Sequence, residues 1–592
     1  MEKTIDNLKL LIRAGQGKIP SDLAIRGGTL VNVMTGEIYP ADVAVYQDTI
    51  VAVGDVSDYI GDRTEIIDAS GAYLTPGLID GHIHVECSKL SVSGYASVVV
   101  PHGTTAMVSG LDEYISVSGL EGLREIFAEI AGSPLKVFWG APYKTPYTFP
   151  PSTIALNFTK EIHAQVQQWN QCYGVWELVR EAVLEEDEDT LGALAEAAKN
   201  RLPVFGCSPM ARGKDLNGYL CSGVRLDHES YDHEEVLEKM RKGMHMLIRE
   251  SSVTHFLKEN IRAVTEVNPA LARRVSFCTD DVTATDIITK GHLDNVVRLA
   301  ISCGVPPVTA IQMATINSAE AYRVDHLIGS ISPGRIADIL LVDSPETFKV
   351  KAVVVNGRLA AREHKLTSPL KAPPRGPALA GRLKCRNTTR EDFVYKVKIR
   401  QGTATVLSME TKGPFVRKGR ELTLKVEDFA ILPDPAQDVA LVSVIERFGK
   451  NGNRSLAFCS GWSLRKGAMA SSAAPDDNNL IVMGVNPDDM SLAANHLIRE
   501  GGGQVVVAGG KILEFLPLPV GGIVSDDEPD QVMEAERRLT QAARELGCQL
   551  PEPLMYMFFL PITAIRDYAI TDVGPVDCVN LKVFDPVLEL KE

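Results

Sequence analysis

The stretch Pro76-Gly77-Leu78-Ile79-Asp80-Gly81-His82-Ile83-His84 decides how this chain is read. An apolar run follows a Pro-Gly turn, so a short strand is expected there, opening onto a loop at its end. Side chains on a strand alternate faces with a period of two, so His82 and His84 project their imidazoles to the same side. Imidazole nitrogen is the commonest nitrogen ligand for zinc, iron and manganese, and a pair at one strand end can clamp a single ion. A half-buried strand with two incidental histidines would look the same, so the rest of the chain must decide.

The surrounding composition is that of an ordinary globular protein, 45% hydrophobic and 23% charged over 592 residues. That length exceeds one core and implies about two to four domains. A net charge of -15 leaves no excess of basic residues to neutralise phosphates, which argues against a nucleic-acid partner. No run of about 18 apolar residues occurs, so no membrane span is expected. The start, Met1-Glu2-Lys3-Thr4-Ile5-Asp6, carries both signs of charge and lacks the apolar core of a secretory signal. Ten cysteines stand singly without a Cys-X-X-Cys pair, which fits free thiols in a reducing cytoplasm.

Residues 23–28, 42–46 and 50–54 read as short strands broken by glycine, and a similar signal returns at 334–343 and 353–358. Between them, apolar runs at 105–108, 135–139, 203–206 and 274–278 alternate with helix-like stretches at 191–199 and 234–250. Such alternation predicts the α/β class and a parallel (β/α)8 barrel, with chemistry in the loops at the C-terminal strand ends. The proline-rich segment 368–377 marks a linker to a further globular piece with strands at 439–444 and 504–508. Ser525-Asp526-Asp527-Glu528 reads as a solvated turn and helix start.

A hydrolytic metal centre needs more than two ligands, and other strand ends supply them. Gly174-Val175-Trp176-Glu177 places a carboxylate at the end of the expected fourth strand. Arg225-Leu226-Asp227-His228-Glu229 offers an imidazole on the sixth, and Phe277-Cys278-Thr279-Asp280-Asp281 ends the eighth with two aspartates. Each alone reads equally well as a helix cap or a solvated charge. In the order His-X-His, Glu, His, Asp along one barrel, they support one another.

The string 76–84 resembles the first-strand signature of the amidohydrolase superfamily, whose members close a small β-sandwich from both chain ends around a barrel. His82-Ile83-His84-Val85-Glu86, Gly213-Lys214-Asp215-Leu216-Asn217, Asp227-His228-Glu229, Thr279-Asp280-Asp281 and Gly291-His292-Leu293-Asp294 resemble the adenine deaminase family. So do residues 465–472 and Glu500-Gly501-Gly502-Gly503, in the C-terminal domain that this family appends. The resemblance spans nearly the whole chain and implies a division into 1–72 and 321–366 (the two parts of the sandwich), 73–320 (the metal-dependent barrel) and 367–592 (an α+β C-terminal domain).

It further implies hydrolysis of adenine to hypoxanthine and ammonia at a centre of one or two divalent ions, Mn2+ first, with Fe2+ or Zn2+ as alternatives. The implied ligands are His82, His84, Glu177, Cys207, His228 and Asp280. Asp280 would accept and return a proton, Glu113 would protonate the purine ring, and Glu86, Asp112, Asp281 and Asp476 would bind substrate. The implied partner is a small purine, and the implied assembly is a homo-oligomer.

Departures from the family pattern fall on functional positions, which marks the chain as a divergent member. Gly-His-Ala-Pro-Gly is Gly206-Cys207-Ser208-Pro209-Met210, so a ligand histidine has become Cys207. Asp-Pro-His-Glu is Gly110-Leu111-Asp112-Glu113, and Asp-Asp-Arg-His is Asp280-Asp281-Val282-Thr283. Ala-His-Asp-Ser-His-Asn is Ala474-Pro475-Asp476-Asp477-Asn478-Asn479. Three readings follow: an adenine deaminase, a hydrolase of another aminopurine or cyclic C–N bond, and a catalytically silent purine-binding paralogue.

Overall fold

The Pro76-Gly77 turn is a joint between two sheets. Pro76 ends strand Tyr73–Pro76, which runs parallel to Thr29–Asn32 and antiparallel to Ile339–Val342, with Pro76 opposite Ile339. Both ends of the central segment are therefore pinned in one seven-stranded sheet. A four-stranded sheet, Thr49–Gly54, Asp42–Tyr46, Leu23–Arg26 and Glu65–Asp68, accompanies it. Ile25, Val43, Val45, Leu74, Ile339 and Leu341 from the two sheets bury into a common core. The computed structural model describes residues 4–145, 151–381, 383–475 and 477–592.

Beyond the joint, eight strands pair in chain order, every neighbour parallel. They are β1 (Leu78–Asp80), β2 (Thr104–Ser109), β3 (Lys136–Pro142), β4 (Cys172–Val179), β5 (Val204–Cys207), β6 (Leu226–Asp227), β7 (His245–Arg249) and β8 (Val275–Cys278). Parallel strands covered on both faces read as continuous apolar runs, and β8 is buried at all positions. The barrel closes just past the ends of β1 and β8. Ile83 bridges Asp280, His84 N–H donates to Asp280 O (3.3 Å), and Asp280 N–H donates to His82 O (2.9 Å). The seam thus runs through the expected ligands themselves. Gly81 is required there, because a Cβ would collide with the Leu247 side chain on β7.

Two sequence expectations need correction. His82 and His84 lie immediately beyond β1, which ends at Asp80. The stretch 234–250 is not one helix: His233–Arg241 is helical, and β7 follows after a turn at Gly243 (φ +99°). A five-residue buried strand shows no period of its own, so the charged helix before it masked the change.

The C-terminal part is built on an eleven-stranded sheet flanked by helices Pro487–Glu500 and Pro529–Glu545. Its longest feature is a hairpin of Gln401–Gly413 and Val416–Glu427, turning at Pro414-Phe415. Several contacts fasten this part to the barrel. The Ser525 N–H donates to Lys89 O (2.7 Å), and Asp572 accepts from the Thr153 N–H (3.0 Å) and hydroxyl (2.6 Å). Ser525 is accordingly buried rather than solvated, while Asp526 pairs with Arg375 (2.6 Å) and Glu528 forms a capping box at the helix start. All ten cysteines are free. Among the described residues no helix is long and apolar enough to cross a membrane.

Candidate active site

The loops after the barrel strands bring the expected ligands to one point. The Nε2 atoms of His82 and His84 lie 3.4 Å apart. Glu177 Oε2, from β4, sits 3.2 Å from the first and 3.4 Å from the second. Asp280 Oδ1 lies 3.7 and 3.6 Å from the same two nitrogens. His228 Nε2 approaches Glu177 Oε1 at 3.6 Å, and its Nδ1 faces Gly206 O at 3.1 Å, which directs Nε2 inward. The His82 ring stacks on Trp176 (4.1 Å between centroids) and on His228 (3.6 Å).

Three subsets could each hold an ion, with donor atoms within 4.8 Å of one another: His82, His84, Glu177; His82, His228, Asp280; and Glu177, Cys207, His228. Glu177 Oε2 is buried without a hydrogen-bond partner. Imidazole nitrogens interleaved with carboxylate oxygens are a donor set that fits a first-row divalent ion. A fourth subset, His84, Asp112 and Glu113, adjoins these.

The backbone is distorted at these residues. Glu177 (φ +57°) and Asp280 (φ +58°) both adopt the left-handed region, which is costly for side chains other than glycine. At Glu177 the ladder of β4 with β5 shifts register between Val175 and Leu178. The irregularity re-aims the carboxylate into the mouth of the barrel.

Charges at the site sort into two kinds. Burial pushes the Glu177 carboxyl upward, but His82 and His228 outweigh it and hold it well below the usual range. For Asp280, burial is likewise outweighed, chiefly by Arg249, leaving it at about 2. Both remain anionic donors. Glu113 is opposite: burial first, then Asp112 and Glu86, push it well above the usual carboxylate range. Burial and Asp280 raise Asp281 to about 6, and its Oδ1 accepts from Cys87 Sγ (2.9 Å).

A cavity of about 430 Å³ opens above the cluster. His84, Glu113, Glu177, Cys207, His228, Asp280 and Asp281 all reach its wall. Cys207 thus reaches the cavity beside Glu177 and His228, and burial pushes its thiol well up. Glu86 and Asp112, expected to bind substrate, do not line the cavity. They stand behind His84, with Asp112 Oδ2 3.4 Å from His84 Nδ1 and Glu86 Oε1 accepting from the Tyr114 N–H (3.4 Å). Asp476 lies outside the described residues.

The C-terminal domain supplies the other side of the cavity. Phe415, at the hairpin tip, and Phe558, Phe559 and Ile562 roof it. Asn478 donates its amide to Glu113 Oε2 across the domain boundary. Arg417 is 1% exposed and ties down the roof by donating to Phe559 O (2.7 Å), Ile562 O (2.9 Å), Ile565 O (3.4 Å) and Tyr568 O. The sequence reading missed Arg249, whose Nη1 contacts Asp280 Oδ2 and lies 2.6 Å from Glu229 Oε1. The run His-Met-Leu-Ile-Arg after Gly243 was the available signal.

Comparisons with known proteins agree with this architecture. The amidohydrolase family model matches residues 73–360, and the model of the adenine deaminase C-terminal domain matches 415–582. "Adenine deaminase 1" of Desulfotalea psychrophila is 70% identical over 590 residues, covering 100% of this chain and 99% of that protein. "Adenine deaminase 1" of Latilactobacillus sakei is 59% identical over 592 residues, covering 100% of both. "Adenine deaminase 4" of Rhizobium meliloti is 53% identical over 586 residues, covering 98% of each. A solved β-aspartyl dipeptidase from Fervidobacterium islandicum AW-1 shares 19% identity at a TM-score of 0.46, covering 58% of this chain and 98% of that one. Identity of 70% along the full length corrects the expectation of a divergent member.

Proposed function

Because this chain belongs to the adenine deaminase family, an amidohydrolase barrel carrying the adenine deaminase C-terminal domain, we propose that it hydrolyses adenine to hypoxanthine and ammonia. The observation that carries this reading is one cavity joining two kinds of group. On one side stands the cluster of His82, His84, Glu177, His228 and Asp280, and on the other the buried Glu113, whose carboxyl is pushed well above the usual range.

His82, His84, Glu177, His228 and Asp280 would hold one or two divalent ions, with Cys207 within reach of the Glu177 and His228 side. When bound, such an ion, Mn2+ by first expectation, supplies the Lewis acidity that lets water act as a nucleophile near neutral pH. Asp280 is ionised, so it can take the proton of a water that attacks C6 of the base. Glu113 holds a proton for the ring nitrogen beside C6, so the ring can take up the electron pair displaced at C6. Asp280 then returns its proton to the amino group, which departs as ammonia, and the hydroxyl proton released as the C6 carbonyl forms restores the proton that Glu113 gave up. Water supplies the oxygen, and the two products account for every atom of adenine and water. Phe415, Phe558 and Phe559 exclude bulk water and offer apolar surface to a planar base. The same reading carries a cytoplasmic site of action and a homo-oligomeric assembly.

The test is ammonia release from adenine by Mn2+-loaded protein, with loss of the adenine absorbance followed in parallel. Turnover that disappears in His82→Ala supports the proposal. A metal-loaded protein that leaves adenine untouched overturns it, and ring opening of another substrate without ammonia would establish the cyclic-amide reading instead.

A further inference from the structure

We propose that Arg249 is a positioning residue that fixes the Asp280 carboxylate in its working orientation, and that Phe415 of the C-terminal domain completes the cage holding it. The proposal rests on the deaminase reading above for the role of Asp280. The two residues after Asp280-Asp281, Val282 and Thr283, carry no charge. The structure brings a cation to the Asp280 carboxylate from the neighbouring strand. Arg249 is the last residue of β7 and pairs in register with Cys278 of β8, two residues before Asp280.

A free aspartate can turn either oxygen toward the cluster. Here Arg249 Nη1 holds Oδ2, which leaves Oδ1 alone facing the His82 and His84 nitrogens at 3.7 and 3.6 Å. The left-handed backbone at Asp280 limits the side chain further. Arg249 is itself immobilised. It is 2% exposed, its Nη1 also meets Glu229 Oε1 (2.6 Å), and its guanidinium carbon lies 5.3 Å from the Phe256 ring and 5.4 Å from the Phe415 ring. Both carboxylates are met through Nη1 alone, Nε and Nη2 being buried without a hydrogen-bond partner, and the planar guanidinium lies between the two rings. Phe415 comes from the hairpin tip, so the distant domain reaches the catalytic carboxylate through one arginine.

Arg249→Met, Arg249→Lys and Phe415→Ala in the full-length, Mn2+-loaded protein test this. Loss of a group that orients a metal-site carboxylate lowers kcat by about 10- to 100-fold. Because positioning acts on the transition state, KM should stay within about threefold. Arg249→Lys should recover part of the loss, since it keeps the charge without the planar group. Phe415→Ala should lower kcat by about 2- to 30-fold, the range of a cation–π contact, and lose that effect in an Arg249→Met background. Crystals of Arg249→Lys should show Asp280 turned from its wild-type rotamer.

Three results would overturn the proposal: kcat of Arg249→Met within about threefold of wild type, a change confined to KM, or Asp280 unmoved in the crystal. An undiminished Phe415→Ala effect in the Arg249→Met background would remove Phe415 from the cage. If Arg249→Met does not fold, Arg249→Lys carries the test alone. Absence of adenine turnover in the wild type would defeat the deaminase reading instead, while the Asp280 rotamer in crystals still decides this one.

Discussion

Glu113→Gln isolates the proton that the proposed reaction draws from the barrel wall. Glu113 is 4% exposed and lies beside Asp112 and Glu86, so burial and two neighbouring carboxyls push its carboxyl well above the usual carboxylate range. An acid shifted in that direction is suited to donate to the ring. General acid catalysis contributes about 100- to 10,000-fold, which is about 3–5 kcal/mol of barrier. Glutamine preserves the shape, and its carbonyl can still accept the Asn478 amide now bonded to Oε2. Folding stability should thus stay within about 1 kcal/mol of wild type. Steady-state kinetics should show kcat and kcat/KM falling together, with metal content and melting temperature unchanged. A kcat within about tenfold of wild type would refute the assignment, as would a rise in KM alone.

Three other expectations can be checked with the same protein. Dialysis against a chelator should abolish ammonia release and lower the melting temperature, and Mn2+ should restore both. Free metal at about 1,000 times its Kd stabilises the folded state by about 4 kcal/mol, so full activity after chelation would count against a metal centre. Arg417→Met leaves several buried carbonyls of the roof unpaired and should destabilise by about 3 kcal/mol or more in urea unfolding, with a raised KM; an unchanged KM would mean the roof holds without it. Burial holds the His163 imidazole down to about 4 despite the facing Tyr143 carbonyl. The unfolded chain takes up that proton below about pH 6.5 while the folded protein resists until about 4, so stability present above pH 6.5 is lost as pH falls through this window, by up to about 3 kcal/mol. Urea midpoints at pH 8 and pH 5 should differ less in His163→Gln, and equal slopes would exclude His163 as the source.

The sequence made some of the site legible and hid the rest for definable reasons. His82, His84, Glu177, His228 and Asp280 could be read because each follows an apolar run at a strand end, where a parallel barrel places its chemistry. Their mutual order was the second clue. The left-handed backbone at Glu177 and Asp280 was not legible, since neither residue type announces a positive φ. Arg249 was lost inside a stretch whose helical charge pattern ran straight into a five-residue strand. Phe415 and Asn478 carry no local signal, because their importance comes from a hairpin and a loop brought over the barrel by tertiary packing. Glu86 and Asp112 erred in the other direction. The resemblance implied contact with substrate, whereas the turn after β1 and the helix Asp112–Ala131 set them behind His84, off the cavity wall.

Phe415 and Asn478 are also late arrivals in synthesis. The ribosome completes every expected ligand, through Asp280, long before it reaches the hairpin that covers them. The nascent chain therefore carries its whole set of expected ligands before the residues that cover the mouth exist. Turnover should begin only once the final third of the chain has folded down, and a protease nick that frees that part should leave a loaded but unproductive barrel.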